Sequence, residues 1–444
     1  MANDPLRLLV LFQGRWEDEA LTAMRRDGDV VAFFEGFEPL SFGGLLRGTF
    51  GDARRWTERL VRKYRGRIDA VWSNDEPFGC LLAAAMAKRL GLPGAEPAAI
   101  VRAQHKVLLR EALAEHCPEL TVRAAALSRS IRRRAVADAA WIAAEVANLG
   151  LSWPLFVKPA KATFSVLARR VADARELAAH LRLSWLDRRL LTATVRPFQQ
   201  LASEFVRLPC GPAHPLLETP LHGHQVNVDG YAWRGDMHVL GEVDEWMYPG
   251  EVAGARHFAG FVYPSRQAAD TRQRLRAAAI AAVRAIGYDH GMWNVELFVR
   301  DDGDVKVIEI NPRSAGQFAS LYGAVLGLDL ERMAVALAAG RDPGAVPRLA
   351  PTAGAAASFV FRCFDGRQGP PPRADGLEWL ARTHPGARLW TEPAGPRALR
   401  REYRWLGSHR HAVLNLAAAD FAALVRAGDE CGQRLFGTGV LPGR

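Results

Sequence analysis

Two glutamates and one asparagine stand out in this sequence as candidate functional side chains. Residues 293–300 and 305–313 each alternate apolar and polar positions around a short turn that contains glycine, a pattern that predicts a β-hairpin. Counting outward from the turn places Glu296 opposite Glu309. The period of two along a strand then puts Glu296, Glu309 and Asn311 on one face. Facing carboxylates repel each other, so this arrangement predicts a cation between them.

The same count sets the other pairs of the hairpin. It starts from Arg300 facing Val305, places Asn294 opposite the asparagine of the second strand, and puts Phe298 and Val307 beside the acids. An exposed hairpin whose acids point to water is the alternative. The apolar neighbours of each glutamate favour burial instead.

The chemistry of the ligands limits the cation. Glutamate and asparagine offer only oxygen atoms, which suits Mg²⁺ or Mn²⁺ and argues against zinc. Mg²⁺ normally completes its coordination with water and substrate phosphates, so a nucleotide is the expected partner. His222 and His224 could share a face and bind a metal, but no third soft ligand is near them in sequence. Polar strand residues are the favoured interpretation of that pair.

Composition indicates a soluble protein of several domains. The 444 residues are expected to divide into about three units, with 49% hydrophobic and 24% charged residues. No apolar run is long enough to cross a bilayer, and residues 8–12 predict a first strand instead of a signal segment. The five cysteines are widely spaced without a Cys-x-x-Cys pair, which favours neither disulfides nor zinc and predicts a cytoplasmic location.

The net charge of +10 raises nucleic-acid binding as an alternative. Most of the excess is arginine scattered along the chain. The densest cluster, at 132–134 with Arg123 and Arg129 nearby, has no interleaved aromatic residues. This pattern is more typical of a solvated face than of a binding groove, and a basic surface also concentrates small anionic substrates.

Residues 1–100 predict an α/β domain with a parallel, doubly wound sheet, because strands and helices alternate. The predicted elements are strand 6–12, helix 18–26, strand 30–34, helix 53–64, strand 68–72 and helix 79–90. Residues 73–76 follow the third strand and should face any site at the carboxyl ends of the strands. The glycine-containing segment 42–44 lacks a phosphate-binding spacing and is predicted to be loop.

A second block begins with a helix at 104–115. Residues 153–160 predict a strand that carries Lys158, followed by the loop 161–165 and a strand at 166–170. A lysine that leaves a buried strand has a charged head suited to a phosphate. Extension of that head into solvent is an equally good interpretation of Lys158 taken alone.

Residues 222–264 predict a hairpin and then a long loop. Residues 222–231 alternate strictly and return as 237–243, and residues 244–264 predict an irregular loop of a length that usually has a function. We interpret this region as the substrate pocket, with acids that could pair with an amine and aromatic rings that could shape the cavity. These residues are Glu242, Asp244, Glu245, Trp246, Tyr248 and Trp293.

The remaining elements are helical and then β-rich. Helices are predicted at 271–286 and 330–339, and a boundary rich in proline and glycine at 343–351. Short strands at 357–363 and 411–416 and a final helix at 419–426 complete the predicted elements.

Several motifs together resemble the ATP-grasp superfamily. They are Lys106, Val-Lys-Pro at 157–159, Leu-Glu-Thr-Pro-Leu-His-Gly-His-Gln at 217–225, Asn-Val-Glu at 294–296 and Ile-Glu-Ile-Asn-Pro-Arg at 308–313. Their order and spacing match that superfamily from Lys106 to Gly340. The closest likeness is to its carboxylate-amine ligases, such as the L-amino-acid (dipeptide) ligases and carnosine synthase.

The resemblance implies an ATP-grasp fold of mixed α/β and α+β class, with a two-lobed ATP-binding core on antiparallel sheets. The implied domains are an N-terminal doubly wound parallel-sheet domain (1–100), a helical connection (101–150), a small lobe (151–222), a large lobe with the metal site (223–345) and a small C-terminal α+β domain (346–444).

The resemblance also implies roles for individual residues. Glu296, Glu309 and Asn311 would bind Mg²⁺ or Mn²⁺, and Arg313 would hold a substrate carboxylate or acyl-phosphate. Lys158 would act with Arg313 in catalysis. The residues implied to contact ATP are Lys106 and Lys158 at the phosphates, Lys161 and Ser165 in the phosphate loop, Glu218, Thr219 and Leu221 at adenine, and Gln225 at the ribose, where relatives usually carry glutamate. The loop 161–165 has no glycine, so it should be stiffer than the glycine-rich flap of relatives.

The implied activity is an ATP-dependent ligation of a carboxylic or amino acid to an amine through an acyl-phosphate, with release of ADP and phosphate. Another ATP-grasp ligation, such as carboxylation, and nucleotide binding without turnover are alternatives. The implied partners are ATP and small carboxylate and amine substrates. A membrane is excluded, nucleic acid is disfavoured, and a homodimer is left open.

Overall fold

The computed structural model describes residues 4–36, 51–163, 165–252 and 254–439. Within these ranges the chain forms three β-sheets, of three, four and eight strands, with helices packed against them. The segment 42–44, predicted to be loop, lies outside the described residues. A search of the described helices finds none with the length and apolar character needed to cross a membrane.

The N-terminal sheet is parallel, with the strand order β2-β1-β3. Its strands are β1 (Leu6–Leu11), β2 (Val30–Glu35) and β3 (Ala70–Trp72). Successive side chains of β1 point to opposite faces, so Leu9 packs into one hydrophobic core and Leu8 into another. Helices cover both faces, which confirms the doubly wound arrangement. The third strand is shorter than the predicted 68–72.

Several helices begin where an aspartate can cap them. The carboxylates of Asp52, Asp138 and Asp173 each accept hydrogen bonds from backbone N–H groups of the first turn. The α-helices lie at Asp18–Arg26, Ala53–Tyr64, Gly79–Leu90, Pro97–Gln104, Lys106–His116, Ala139–Asn148, Ala174–His180, Trp185–Ala202, Ala269–Ala285, Ala319–Leu326, Leu330–Ala338, Ala374–Thr383, Pro396–Leu406 and Phe421–Phe436. Short 3₁₀ turns lie at Pro118–Leu120, Arg134–Ala137, Gly316–Phe318 and Pro343–Ala345.

The four-stranded sheet belongs to the smaller lobe. Its strands are β4 (Ala124–Ala126), β5 (Leu155–Pro159), β6 (Arg169–Val171) and β7 (Pro215–Glu218), paired antiparallel in the order β4-β7-β5-β6. Strand β4 lies in the segment 101–150, which sequence analysis described as a helical connection. The strand predicted at 166–170 is shorter and begins later, because residues 165–167 form a turn.

The eight-stranded antiparallel sheet has the order β12-β11-β8-β9-β10-β13-β15-β14. Its strands are β8 (His224–Trp233), β9 (Asp236–Met247), β10 (Phe258–Tyr263), β11 (Gly291–Val299), β12 (Val305–Asn311), β13 (Ala355–Cys363), β14 (Arg388–Thr391) and β15 (His409–Ala418). Three of these strands come from residues beyond 345. The sheet therefore runs without interruption across the predicted boundary of the large lobe.

The prediction of a long loop at 244–264 is wrong. Strand β9 continues to Met247, and β10 pairs with both β9 and β13, so only residues 248–257 connect strands. Both strands lie in the middle of the sheet, so consecutive residues are buried and β10 shows no alternation of apolar and polar positions. Strand β9 also carries acids whose partners come from other elements. Asp244 accepts hydrogen bonds from Ser265 and from the backbone N–H of Arg266.

Backbone hydrogen bonds join the smaller lobe to the rest of the molecule. The N–H of Leu167 donates to the carbonyl of Trp405 at 3.0 Å, and the N–H of Arg170 donates to the carbonyl of Gly254 at 2.8 Å. The guanidinium of Arg404 also donates to the carbonyl of Arg182 at 2.6 Å. The helix Pro396–Leu406 therefore rests on the loop that follows β5.

Glu331→Gln is expected to stabilise the fold at pH 8 and to have progressively less effect toward pH 5. Burial raises the pKa of Glu331 to about 8, whereas an unfolded glutamate titrates near pH ~4.3. The folded state thus holds this proton more tightly, and wild-type stability falls as the pH rises from the unfolded pKa through the folded one.

Thermal unfolding between pH 5 and pH 8 tests this expectation, with the exposed Glu378→Gln as the matched control. A difference between Glu331→Gln and wild type that does not grow with pH would contradict it.

Candidate functional site

The hairpin of β11 and β12 brings the predicted acids together. Glu296 lies opposite Glu309 and Asn294 opposite Asn311, which confirms the predicted pairs. The Nδ2 group of Asn311 donates to Oε1 of Glu296 at 3.2 Å. Two carboxylates and one amide side chain therefore face one small region.

The turn end of the hairpin differs from the prediction. Val299, not Arg300, pairs with Val305, and a β-bulge at Ile308 restores the predicted register before Glu309. Val307 consequently lies opposite Leu297, and both are fully buried in the hydrophobic core rather than beside the acids.

Arg110, from the helix Lys106–His116, supports the bulge. Its Nη1 donates to the carbonyl of Val307 at 2.7 Å and its Nη2 to the carbonyl of Ile308 at 3.0 Å. Its Nε donates to Oε1 of Glu218 at 2.7 Å. One buried guanidinium thus connects the hairpin of β11 and β12 to the last residue of β7. Sequence analysis missed this residue, since an arginine within a helix carries no local signal of such a role.

The two facing acids differ in charge. Burial raises the pKa of Glu296 well above its ordinary value, and the negative charge of Glu309 raises it further. Burial acts on Glu309 in the same direction, but Lys106 and Lys158 lower the pKa of Glu309 to about 2. Lys106 reaches this acid directly, with 2.9 Å between Nζ and Oε2.

Lys158 lies against Glu218, the last residue of β7. Its Nζ lies 2.8 Å from Oε2 of Glu218, whose second oxygen accepts from Arg110. Burial would raise the pKa of Glu218, but Arg110 and Lys158 lower it to about 2. Burial also lowers the pKa of Lys158. Glu218 is therefore a buried anion that holds two cations.

A second charged group lies at the exit of the hairpin. The carboxylate of Glu76 contacts Nζ of Lys161 at 3.3 Å and Nη2 of Arg313 at 3.2 Å. Lys161 pairs with this acid of the N-terminal domain, and its contact with phosphate stays a prediction. The hydroxyl of Ser314 also donates to Asn74 at 2.9 Å, so the loop after β3 faces the site as predicted. Sequence analysis gave Glu76 no role of its own.

Other predicted contacts lie around these groups. The amide of Gln225 donates to Oε2 of Glu296 at 3.4 Å, which places Gln225 beside the acids. The backbone N–H of Thr219 donates to the carbonyl of Arg123, and Leu221 is half-buried. Ser165 is exposed with a φ of 55°, a left-handed conformation that is strained for a residue other than glycine.

The predicted substrate pocket is largely wrong. Glu242 pairs with Arg276, and Trp293 is fully buried in the core. Trp246 packs against Phe359.

Glu245 is the exception, because it lies beside the facing acids. Its Oε1 accepts from Asn227 at 2.5 Å. Burial, and then the charge of Glu309, raise the pKa of Glu245 to about 8.

The donor set fits a hard divalent cation. Its carboxylate and amide oxygen atoms are the ligands that such cations prefer, and a bound cation would lower the pKa of Glu296, which burial raises above its ordinary value. Among the described residues, no group of three or more His, Cys, Asp or Glu side chains is arranged to hold a metal ion. Two carboxylates and an amide are the set available here.

Sequence comparison identifies related regions. Residues 261–343 match the family model described as "Carbamoyl-phosphate synthase L chain, ATP binding domain". An 89-residue stretch is 42% identical to carnosine synthase 1 of Gallus gallus and covers 20% of this chain. It covers only 10% of that relative, so the chain matches a small part of its length.

Structural comparison extends the likeness to nearly the whole chain. The L-amino acid ligase from Bacillus licheniformis gives a TM-score of 0.70 at 17% identity, with 98% of each chain covered. The carboxyaminoimidazole ribonucleotide synthase from Aspergillus clavatus, complexed with ATP, gives 0.64 at 14% identity, with 96% of this chain and 97% of that chain covered. These likenesses establish the fold, and the resemblance drawn from sequence is confirmed.

Arg110→Lys is expected to lower the melting temperature. Lysine keeps a positive charge near Glu218 but lacks the planar fork that reaches the carbonyls of Val307 and Ile308. Each buried carbonyl that loses its donor costs about 1–3 kcal/mol. Thermal unfolding measures the change, with the exposed Arg59→Lys as the matched control. A melting temperature equal to that of the control would show that the guanidinium does not support the bulge.

Proposed function

We propose that this chain, which has the ATP-grasp fold and resembles the ATP-grasp carboxylate-amine ligases, joins a small carboxylic or amino acid to an amine in an ATP-dependent reaction. The observation that carries the proposal is the facing, half-buried pair Glu296 and Glu309, with Lys106 on one acid. Arg313 follows two residues after Asn311 and adds an anion-binding group to the same edge.

The nucleotide would lie between the two lobes. Lys106 and Lys158 supply the cations for its phosphates, and the backbone at Leu221 would receive adenine. Glu218 has both oxygens occupied, so its role is to hold Lys158 and Arg110 in place. When bound, Mg²⁺ or Mn²⁺ would supply positive charge against the phosphates, held by Glu296, Glu309 and Asn311.

The reaction needs charge neutralisation and positioning more than a nucleophilic side chain. An oxygen of the substrate carboxylate bonds to the γ-phosphorus as the bond to ADP breaks, which gives an acyl-phosphate. The amine nitrogen then bonds to the carbonyl carbon, phosphate leaves with the C–O electron pair, and the nitrogen loses a proton. Arg313 would neutralise the carboxylate or acyl-phosphate. Glu245 would pair with a substrate ammonium, whereas Glu76 already holds Lys161 and Arg313.

Two relatives support amide formation: the L-amino acid ligase of similar fold and the carnosine synthase with a matching segment. The likeness to carboxyaminoimidazole ribonucleotide synthase supports a different ATP-dependent ligation as the second candidate. The site chemistry is common to both, since each requires nucleotide phosphates and a substrate anion.

Incubation with ATP, Mg²⁺ and pools of amino acids separates the candidates. Amide formation predicts phosphate release that depends on the added amino acids, together with a product mass equal to two substrates less water. Release that depends on bicarbonate favours the second candidate. ATP binding without release in any pool would leave a nucleotide-binding protein without turnover.

Glu309→Gln is expected to reduce phosphate release by about 100-fold or more, because the site loses a ligand charge for the divalent cation. ATP should still bind weakly through the lysines. Asp301→Asn, at the exposed turn of the same hairpin, is the matched control and should keep wild-type turnover. Equal turnover in the two variants would rule out the metal assignment.

A further inference from the structure

A row of buried polar side chains crosses three strands beneath the metal site. Asp229 on β8 lies opposite Asn294 on β11, which lies opposite Asn311 on β12. Each of the three is only 2% exposed. Apolar side chains would fill such positions at lower cost, since a buried polar group stabilises a fold only when its hydrogen bonds are made.

Every hydrogen bond of this row is donated toward the carboxylate of Asp229. Tyr322 donates through its hydroxyl to Oδ2 of Asp229 at 2.8 Å, and Nδ2 of Asn294 donates to Oδ1 of the same carboxylate at 3.1 Å. The Oδ1 atom of Asn294 then accepts from Nδ2 of Asn311 at 2.9 Å.

The carboxylate of Asp229 sets this direction. An asparagine amide has nearly the same shape after its oxygen and nitrogen exchange places, so packing alone does not orient it. Both oxygens of Asp229 act as acceptors here, Oδ2 from Tyr322 and Oδ1 from Asn294, which requires that Asn294 turn its NH₂ group toward Asp229 and its oxygen toward Asn311. Asn311 must then turn its own NH₂ group toward Asn294. Its oxygen is left for the cation.

A second branch leads to Glu245. The Nδ2 group of Asn294 also donates to Oδ1 of Asn227 at 3.0 Å, and Nδ2 of Asn227 donates to Glu245. The orientation of Asn294 therefore determines which end of Asn227 faces that acid. One buried carboxylate orients the amides on both branches.

We propose that Asp229 and Asn294 are positioning residues that present the oxygen of Asn311 to the divalent cation and the NH₂ group of Asn227 to Glu245. The inference rests on the proposed function, because it assumes that Asn311 is a metal ligand. Neither residue is proposed to touch substrate, nucleotide or metal.

The first test is the affinity for Mn²⁺ in the presence of a non-hydrolysable ATP analogue, followed by the electron paramagnetic resonance signal of free Mn²⁺. Asp229→Asn keeps the shape but allows Asn294 to turn over, and it should weaken Mn²⁺ binding about 10- to 100-fold, the range found for groups that orient metal ligands. Tyr322→Phe is the matched control. It removes the other hydrogen bond to Asp229 but leaves the carboxylate, so its Mn²⁺ affinity should stay within about 2-fold of wild type.

The double variant Asp229→Asn with Asn294→Asp separates orientation from general damage. The carboxylate that this variant carries at position 294 would accept from Asn311 and from the new amide at position 229. The bond between positions 229 and 294 is then reversed, but Asn311 again turns its NH₂ group toward position 294. Mn²⁺ affinity should return to within a few-fold of wild type. The second branch stays reversed, because Asn227 must now donate toward position 294.

The outcomes are distinct. If wild type does not bind Mn²⁺ with the analogue, the proposed function fails. If wild type binds and Asp229→Asn binds equally well, only the positioning inference is overturned. The inference is also overturned if the double variant fails to restore binding, or if Asp229→Asn loses the analogue without metal as well.

Discussion

Two half-buried acids that face each other cannot both remain charged unless cations balance them, and the site is organised by this constraint. Glu309 keeps its charge because Lys106 lies against it, whereas burial and its acidic neighbour raise the pKa of Glu296. The lysine comes from the start of a helix more than a hundred residues earlier in the chain. The hairpin alone would therefore not hold the acids in this state, and the fold around it supplies the cation.

Cations also balance the charge of two other acids near the site. Glu218 holds Lys158 and Arg110, and Glu76 holds Lys161 and Arg313. Each acid lies between two cations that come from different parts of the chain. Such groups are buried ion networks whose cost of desolvation is offset only when every member stays in place. The two lobes and the N-terminal domain are thereby fixed relative to the site.

The loop that follows β5 shows how a sequence without glycine can still form a close turn. Ser165 and Leu167 take left-handed conformations, and the carbonyl of Trp405 accepts the N–H of Leu167. The strain at these residues is offset by contacts from the C-terminal segment, including Arg404. A helix near the end of the chain thus sets the shape of a loop beside the proposed phosphate lysines.

Strand pairing within the hairpin and the fold of the first hundred residues could be predicted from the sequence alone. Alternation along 293–313 predicted Glu296 opposite Glu309, because a hairpin pairs residues that are close in the chain. The turn pair is displaced by one residue, and the bulge at Ile308 restores the predicted pairing of the acids. The alternating strands and helices of the first hundred residues likewise predicted a parallel sheet with a loop at Ser73–Glu76 facing the site. The motifs around Lys158 and Asn311 predicted the fold.

Contacts between side chains that are far apart in the chain became known only from the three-dimensional structure. The bulge at Ile308 depends on Arg110, and the partner of Lys161 is Glu76; both contacts join residues far apart in sequence. The strands within 244–263 were predicted to be a loop because consecutive residues of β10 are buried and do not alternate, and because acids interrupt the apolar pattern of β9. Those acids are tolerated where groups such as Ser265 satisfy them. Hydrophobic period is a property of neighbours along the chain, whereas hydrogen bonds and ion pairs in a buried site depend on packing between elements. For this reason the pairing of Glu296 with Glu309 could be predicted from the sequence, whereas the charged groups around that pair could not.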